Sequence, residues 1–246
     1  MTDVTNRKKN ETKPVDAEAF LAMAREGSLA ARLSPEELEG LLAIGVRKKY
    51  ARGTVVFHQG EEGDLAGFIL SGAVKVSTIA GDGKEIAFAY LGPGDTAGEI
   101  SVLDGRPRTA SGVVVEPAEI IVISRRELLG FLSAHGDVAL KVIEYLCDRL
   151  RQTNQLLESN RAHATEIRLA RAVIRLLNEY GVEEKAGERM RFRLSQTDLG
   201  AFASVSRENV NRQLQEWAAQ GFIALQQGQF FVKDREALEE IAEMEG

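Results

Sequence analysis

Residues 98–110, GEISVLDGRPRTA, set one acid and two arginines among small and apolar residues. Glu99 offers two acceptor oxygens suited to a ribose hydroxyl, and Arg108 offers a planar fork of donors that matches a phosphate. Gly98, with no side chain, lets a ligand approach the backbone, Thr109 adds a hydroxyl beside the fork, and Ala110 keeps the floor of the space small. An anion, a sugar hydroxyl and a confined volume together describe a cyclic nucleotide. The same residues also allow a plainer arrangement, in which Glu99 and Arg108 pair with each other and pin an edge turn.

A second set lies in SVSRENVNRQL, residues 204–214. Arg207 and Asn211 are four apart, as are Glu208 and Arg212, so a helix presents all four on one broad stripe while Val210 and Leu214 face inward. Arg can bond both acceptors of a guanine edge and Glu can accept from a cytosine amino group, which suits a G·C-containing major-groove site. A solvated charged face is the alternative for the same residues.

Other chemistries lack their groups. His58, His135 and His163 are scattered, with no His-x-His pair near an acid, which argues against a jelly-roll metal enzyme. Neither a phosphate-binding Gly-x-x-x-x-Gly-Lys loop nor a Gly-x-Ser-x-Gly elbow occurs. No catalytic set, and no metal, is expected. The single cysteine, Cys147, rules out a disulfide framework within the chain and suits a reducing cytoplasm. No apolar run approaches membrane-spanning length, so no membrane partner is expected.

These residues need elements to hold them. The 246 residues suffice for two ordinary domains, and with 31 basic against 37 acidic side chains (net −6) any polyanion site must be a local patch. Residues 1–25 read as a loose tail, although AEAFLAMAREG within and after it has helical spacing. SPEELEGLLAIG follows as a helix with Ser34 as N-cap and Pro35 at its first position. From about 47 to 124, short apolar runs alternate with Gly, Asp and Pro turns, the pattern of an antiparallel barrel or roll. A long helix runs from about 137 to 162. Along it Ala139, Ile143, Leu146, Leu150, Thr153, Leu157 and Asn160 alternate spacings of four and three, the seam of a two-stranded coiled coil and hence of a homodimer. The last third reads as a helix, a strand over RMRFRL, two short helices in a helix-turn-helix, a hairpin turning on Gly228 that would form a wing, and an acidic final helix. The expected fold class is α+β: an N-terminal antiparallel β-roll, a long dimerisation helix and a C-terminal winged helix-turn-helix. The expected bounds are 26–135 for the roll with its flanking helices, 136–163 for the helix and hinge, and 164–246 for the last domain.

The stretch 98–110 resembles the phosphate-binding cassette of cyclic-nucleotide-binding domains, with its Gly-Glu, short apolar segment and Arg-Ser/Thr-Ala. The preceding GTVVFHQGEEGDLAGFILSGAVKV and LGPGD resemble that family's β-roll. SRENVNR in turn resembles the recognition helix of the catabolite activator (cyclic-AMP receptor) protein family, and the whole resemblance spans about residues 35–235. It implies nucleotide contacts from Gly98, Glu99, Ile100, Ser101, Arg108, Thr109, Ala110, Arg149, Thr153 and Asn154. It also implies base reading by Arg207, Glu208 and Arg212, with Asn211 on the same stripe and Ser206 on backbone phosphate. A TGTGA-like palindromic operator, cyclic AMP as allosteric ligand, and RNA polymerase as a further partner follow from the same likeness. Asn154 stands where the family's pattern has serine and Thr109 replaces serine, so cyclic GMP stays open. A haem-bound gas sensor and a ligand-independent regulator are the other inputs the architecture allows. Ser204 occupies a turn position where the family has glycine; a left-handed conformation there would cost on the order of 1 kcal/mol.

Overall fold

The computed structural model describes residues 15–22, 24–81, 83–159, 164–226 and 229–244. The chain opens with α1 (Ala17–Leu21), a short 3-10 turn (Ala30–Arg32) and α2 (Pro35–Ala43). Ser34 and Glu37 cap α2 reciprocally and Pro35 takes its first position, as the sequence suggests. Within the stretch expected as a loose tail, α1 buries Ala17 and Phe20, and the Phe20 ring lies 5.9 Å from that of Phe68. An apolar face at helical spacing thus joins the core. The remainder of that tail, residues 1–14, lies outside the described residues.

A sheet follows, built from β1 (Val46–Tyr50), β2 (Val55–Phe57), β3 (Leu65–Ile79), β4 (Glu85–Leu91), β5 (Thr96–Ala97), the helix α3 (Glu99–Asp104) and β6 (Ser111–Ser124). Strand order is β1-β6-β3-β4, all antiparallel, with β2 also on β6 and β5 also on β3. The two long strands β3 and β6 carry most of the alternating apolar residues, and their inner faces close on Ile69, Val74, Val114 and Ile120. Along β3 and β4 Val74 pairs Leu91 and Lys75 pairs Tyr90, so neighbouring residues face opposite sides of one ribbon.

Next come α4 (Arg125–Ala134) and α5 (Gly136–Ser159). Ala139 and Leu146 of the expected seam pack against the roll's own core. Ile143 and Leu150 remain 55% and 61% exposed, and Leu140 is 63% exposed between them, with Cys147 exposed too. The unpartnered stripe is therefore 140-143-147-150 rather than the whole expected seam. Thr153 is half-buried, and Asn160 and the side chain of Leu157 lie outside the described residues. Arg32–Asp148 and Lys141–Glu37 ion pairs, each 2.5 Å, hold α5 to the N-terminal helices.

The C-terminal part comprises α6 (Thr165–Tyr180), β7 (Gly181–Glu184), β8 (Gly187–Met190), α7 (Gln196–Ala203), α8 (Arg207–Gln220), β9 (Ile223–Gln226), β10 (Gln229–Val232) and α9 (Arg235–Glu243), with sheet order β7-β8-β10-β9. The strand expected over RMRFRL ends at Met190, because β8 finds its partners in β7 and at Val232 of β10. β9 and β10 form the expected hairpin, whose turn residue Gly228 is outside the described residues. Fully buried Trp217, Leu176, Leu199 and Leu238 anchor this core. The roll touches it directly: Tyr90 stacks 5.4 Å from Phe192 and tilts 5.7 Å from Phe202, and Tyr180 Oη donates to the Tyr90 carbonyl.

Candidate functional site

The recess in the roll begins where β5 turns into α3. Gly98 makes that turn with φ +77°, and a Cβ there would run into the Arg108 guanidinium, so glycine is required twice over. The turn lets α3 start at once and buries Glu99, 5% exposed, at its first position. Arg108 comes from the loop after α3. Its backbone N–H donates to Glu61 O at 2.8 Å and its carbonyl accepts from Gly60 N at 2.9 Å, clamping that loop to the β2–β3 turn.

Glu99 and Arg108 do not pair with each other. Arg108, 7% exposed, donates through Nη1 to Gly98 O (2.7 Å) and through Nη2 to Leu65 O (2.6 Å). Glu99 instead accepts from Arg149 Nη1 of α5, 2.7 Å from Oε1. Two buried polar atoms are left without partners at the same recess, Glu99 Oε2 and Arg108 Nε. A guanidinium has five donors and a carboxylate about four acceptor sites, so both groups have unused capacity. Burial holds the Arg108 pKa below the usual arginine value, with nearby Glu99, Asp64 and Glu61 opposing only in part. For Arg149 burial also works downward, but the Glu99 carboxylate, Tyr145 and Asp95 outweigh it and raise the value.

The recess is lined by Gly98, Glu99, Ile100, Ser101, Arg108, Thr109, Ala110 and Arg149, with Phe57, Val76, Leu91 and Ala97 as further walls. Eight of the ten residues expected for the nucleotide thus converge. Thr153 is not among the lining residues; its Oγ1 donates to the Arg149 carbonyl at 2.9 Å, inside its own helix. The side chain of Asn154 lies outside the described residues. The apolar walls from β2, β3 and β4 are not named by the motif; only alternation along those strands hints at them. Among the described residues no three His, Cys, Asp or Glu side chains converge as a metal site would require, and no helix is long and apolar enough to cross a membrane.

The second site is the α7–α8 pair. Ser204 ends α7 with φ +54° and is the only non-glycine described residue at positive φ. Its carbonyl accepts from Arg168 Nη1 at 2.9 Å, which helps hold the strained turn. Ser206 caps α8 by accepting from Asn209 N at 3.3 Å, so this serine is committed to the helix as well as exposed. Arg207, Glu208, Asn211 and Arg212 all project into solvent, while Val210, Leu214 and Trp217 are buried. Gln196 at the start of α7 donates to Asn211 Oδ1 at 3.1 Å. Glu166 of α6 accepts from both Gln213 and Trp217, each at 3.2 Å, and sets the rotation of α8 on its support.

The two sites meet across the β3–β4 ribbon. Val76 and Leu91 line the recess, whereas Lys75 and Tyr90 face the C-terminal elements. Lys75 Nζ bonds Asp198 of α7 at 2.7 Å and Glu85 of its own hairpin at 2.9 Å.

Comparison with known proteins agrees with both halves. The cyclic nucleotide-binding domain family matches residues 47–135, and the Crp-like helix-turn-helix domain family matches residues 167–241. The cyclic AMP receptor protein of Thermus thermophilus is 33% identical over 210 residues, covering 85% of this chain and 94% of that protein. The CRP-like cAMP-activated global transcriptional regulator of Mycobacterium tuberculosis is 31% identical over 189 residues, covering 77% and 84% respectively. Among solved structures, FixK2 from Bradyrhizobium japonicum superposes with a TM-score of 0.71 at 18% identity, covering 82% of this chain and all of that one, a likeness of fold. With a nucleotide-binding roll and a Crp-like helix-turn-helix matched over most of its length, the chain belongs to the CRP family of cyclic-nucleotide-binding transcriptional regulators.

Proposed function

We propose that the protein is a cytoplasmic, dimeric transcriptional regulator that binds cyclic AMP in the roll and, in response, a TGTGA-like palindromic operator through α8. The carrying observation is the pair of unpartnered buried atoms, Glu99 Oε2 and Arg108 Nε, at one recess. A ribose hydroxyl donating to Glu99 Oε2 leaves the Oε1–Arg149 bond intact, and a phosphate accepts the donors that Arg108 does not spend on Gly98 and Leu65. Gly98 gives the phosphate close access to the backbone, Thr109 adds a hydroxyl at the rim, and Ile100, Ser101 and Ala110 shape the floor. Arg149, Thr153 and Asn154 carry the ligand's presence into α5.

Two copies of α5 pair along the exposed stripe of Leu140, Ile143 and Leu150. The recognition helices then read two half-sites, and only one spacing, about one DNA turn or ~34 Å, admits both. Arg207, Glu208, Asn211 and Arg212 read bases; Ser206 meets a backbone phosphate. A ligand shifts the balance of arrangements only through its differential affinity, and moving from mostly off to mostly on takes roughly 5 kcal/mol. RNA polymerase is the further partner of a DNA-bound regulator of this kind.

Cyclic GMP is the second reading, left open by the threonine at position 109, which lines the recess where the resembling family has serine. Titrating both nucleotides against the purified protein, with a gel shift on a TGTGA palindrome as readout, separates the two. Cyclic AMP is expected to bind more tightly and to switch on DNA binding, and Arg108→Leu to abolish both while leaving the dimer intact. Undiminished nucleotide binding by Arg108→Leu would overturn the assignment.

A further inference from the structure

Arg108 is a buried cation without a carboxylate of its own. Among the described residues no acid lies within ion-pair distance of it, and its guanidinium is fixed along the edge by two main-chain carbonyls, Gly98 O and Leu65 O. Edge contacts alone leave the plane free to rock about the line that joins them. One face is closed by Phe57, whose ring centroid lies 4.7 Å from the Arg108 Cζ, within the range of a cation–π contact.

Phe57 is delivered there by two separate features. Val55 pairs with Val113 and Phe57 with Gly112, so β2 takes two steps where β6 takes one, a bulge of the kind that re-aims a side chain. Opposite it, Gly112 supplies the room: a Cβ at that position would stand 2.7 Å from the Phe57 ring. The ring is also a wall of the recess.

We propose that Phe57 is a positioning residue for the anion, its ring setting the tilt of the Arg108 guanidinium so that the donors not used on carbonyls meet a phosphate. The bulge at β2 and the glycine at 112 exist together to seat that ring. This rests on the reading of the recess as a cyclic-nucleotide site.

The test measures binding of cyclic AMP and of adenosine, which keeps base and sugar but lacks the phosphate, by NMR titration. Phe57→Leu is expected to weaken cyclic AMP by about tenfold and adenosine by less than about twofold, since only the phosphate feels the guanidinium. Phe57→Tyr, which keeps the ring face, is expected to restore the ratio. Equal weakening of both ligands, or no weakening of either, overturns the proposal. The order parameter of the Arg108 Nε–H vector gives a reading without nucleotide: it should fall in Phe57→Leu and hold in Phe57→Tyr. A native protein that binds no cyclic nucleotide defeats the reading of the recess, whereas an unchanged Arg108 Nε–H order parameter in Phe57→Leu defeats the positioning role alone.

Discussion

Lys75 Nζ lies 2.7 Å from Asp198 Oδ1, joining a strand of the nucleotide-binding roll to the first helix of the helix-turn-helix across 123 positions of sequence. Both groups are largely buried, with side chains 9% and 19% exposed. Removing one partner of such a pair leaves an uncompensated charge. Lys75→Met is expected to lower the unfolding free energy by about 3 kcal/mol, and the double change Lys75→Met with Asp198→Leu to recover most of it. Urea unfolding of the three proteins checks this.

The same pair bounds the stability in pH. Burial raises the Asp198 pKa, but the Lys75 and Ser195 hydrogen bonds prevail and hold it below 3.8. Its contribution is full above that value and is lost as pH falls through the lowered folded one. For Lys75 burial works downward, yet bonds to Asp198 and Glu85 hold it above 10.5. That contribution is full below 10.5 and is lost as pH rises through the raised value. Melting curves of wild type and the apolar double variant should therefore differ in their acid and alkaline limbs and run parallel between them.

Ser204 carries strain that glycine would relieve. At φ +54° a side chain costs roughly 1–2 kcal/mol, while glycine adds about 0.5–1 kcal/mol of unfolded-state entropy. Ser204→Gly should thus stabilise by ~0.5 kcal/mol, and Ser204→Val should destabilise, both measurable by denaturant midpoint.

Glu208 sits exposed at the second position of α8. Glu208→Ala is expected to cost ~1–3 kcal/mol at one operator position and nothing elsewhere. Selection of binding sites from a randomised half-site reads this directly; a uniform loss would assign Glu208 to the fold.

Leu150 is the last residue of the uncovered stripe of α5. Leu150→Glu should yield a monomer by sedimentation that still binds cyclic nucleotide and loses the palindromic operator. Since a net charge of −6 gives no bulk attraction, native operator binding should also fall steeply with salt.

What the sequence discloses follows how local each signal is. The Gly98–Glu99–Arg108 set is read within eleven residues because one turn and one short helix hold it together. The cap at Ser34 is equally local. Phe57, Val76 and Leu91 become walls only through strand pairing, which no window of sequence contains. That Glu99 bonds Arg149 rather than Arg108 depends on where α5 lies against the roll. Spacing along α5 also fits two stripes, and only the packed structure separates Ala139 and Leu146, turned inward, from Leu140 and Ile143. The Lys75–Asp198 link has no local trace at all.

One pleat of the β3–β4 ribbon stands between the recess and the C-terminal elements, with Val76 and Leu91 on one side and Lys75 and Tyr90 on the other. A strand cannot shift one of these sets without dragging its neighbour, because they share peptide units. Recess and helix-turn-helix are thus parted by a wall one amino acid deep, and substitutions at positions 75 and 90 would alter the contact between them while leaving the residues that line the recess, and the exposed stripe of α8, unchanged.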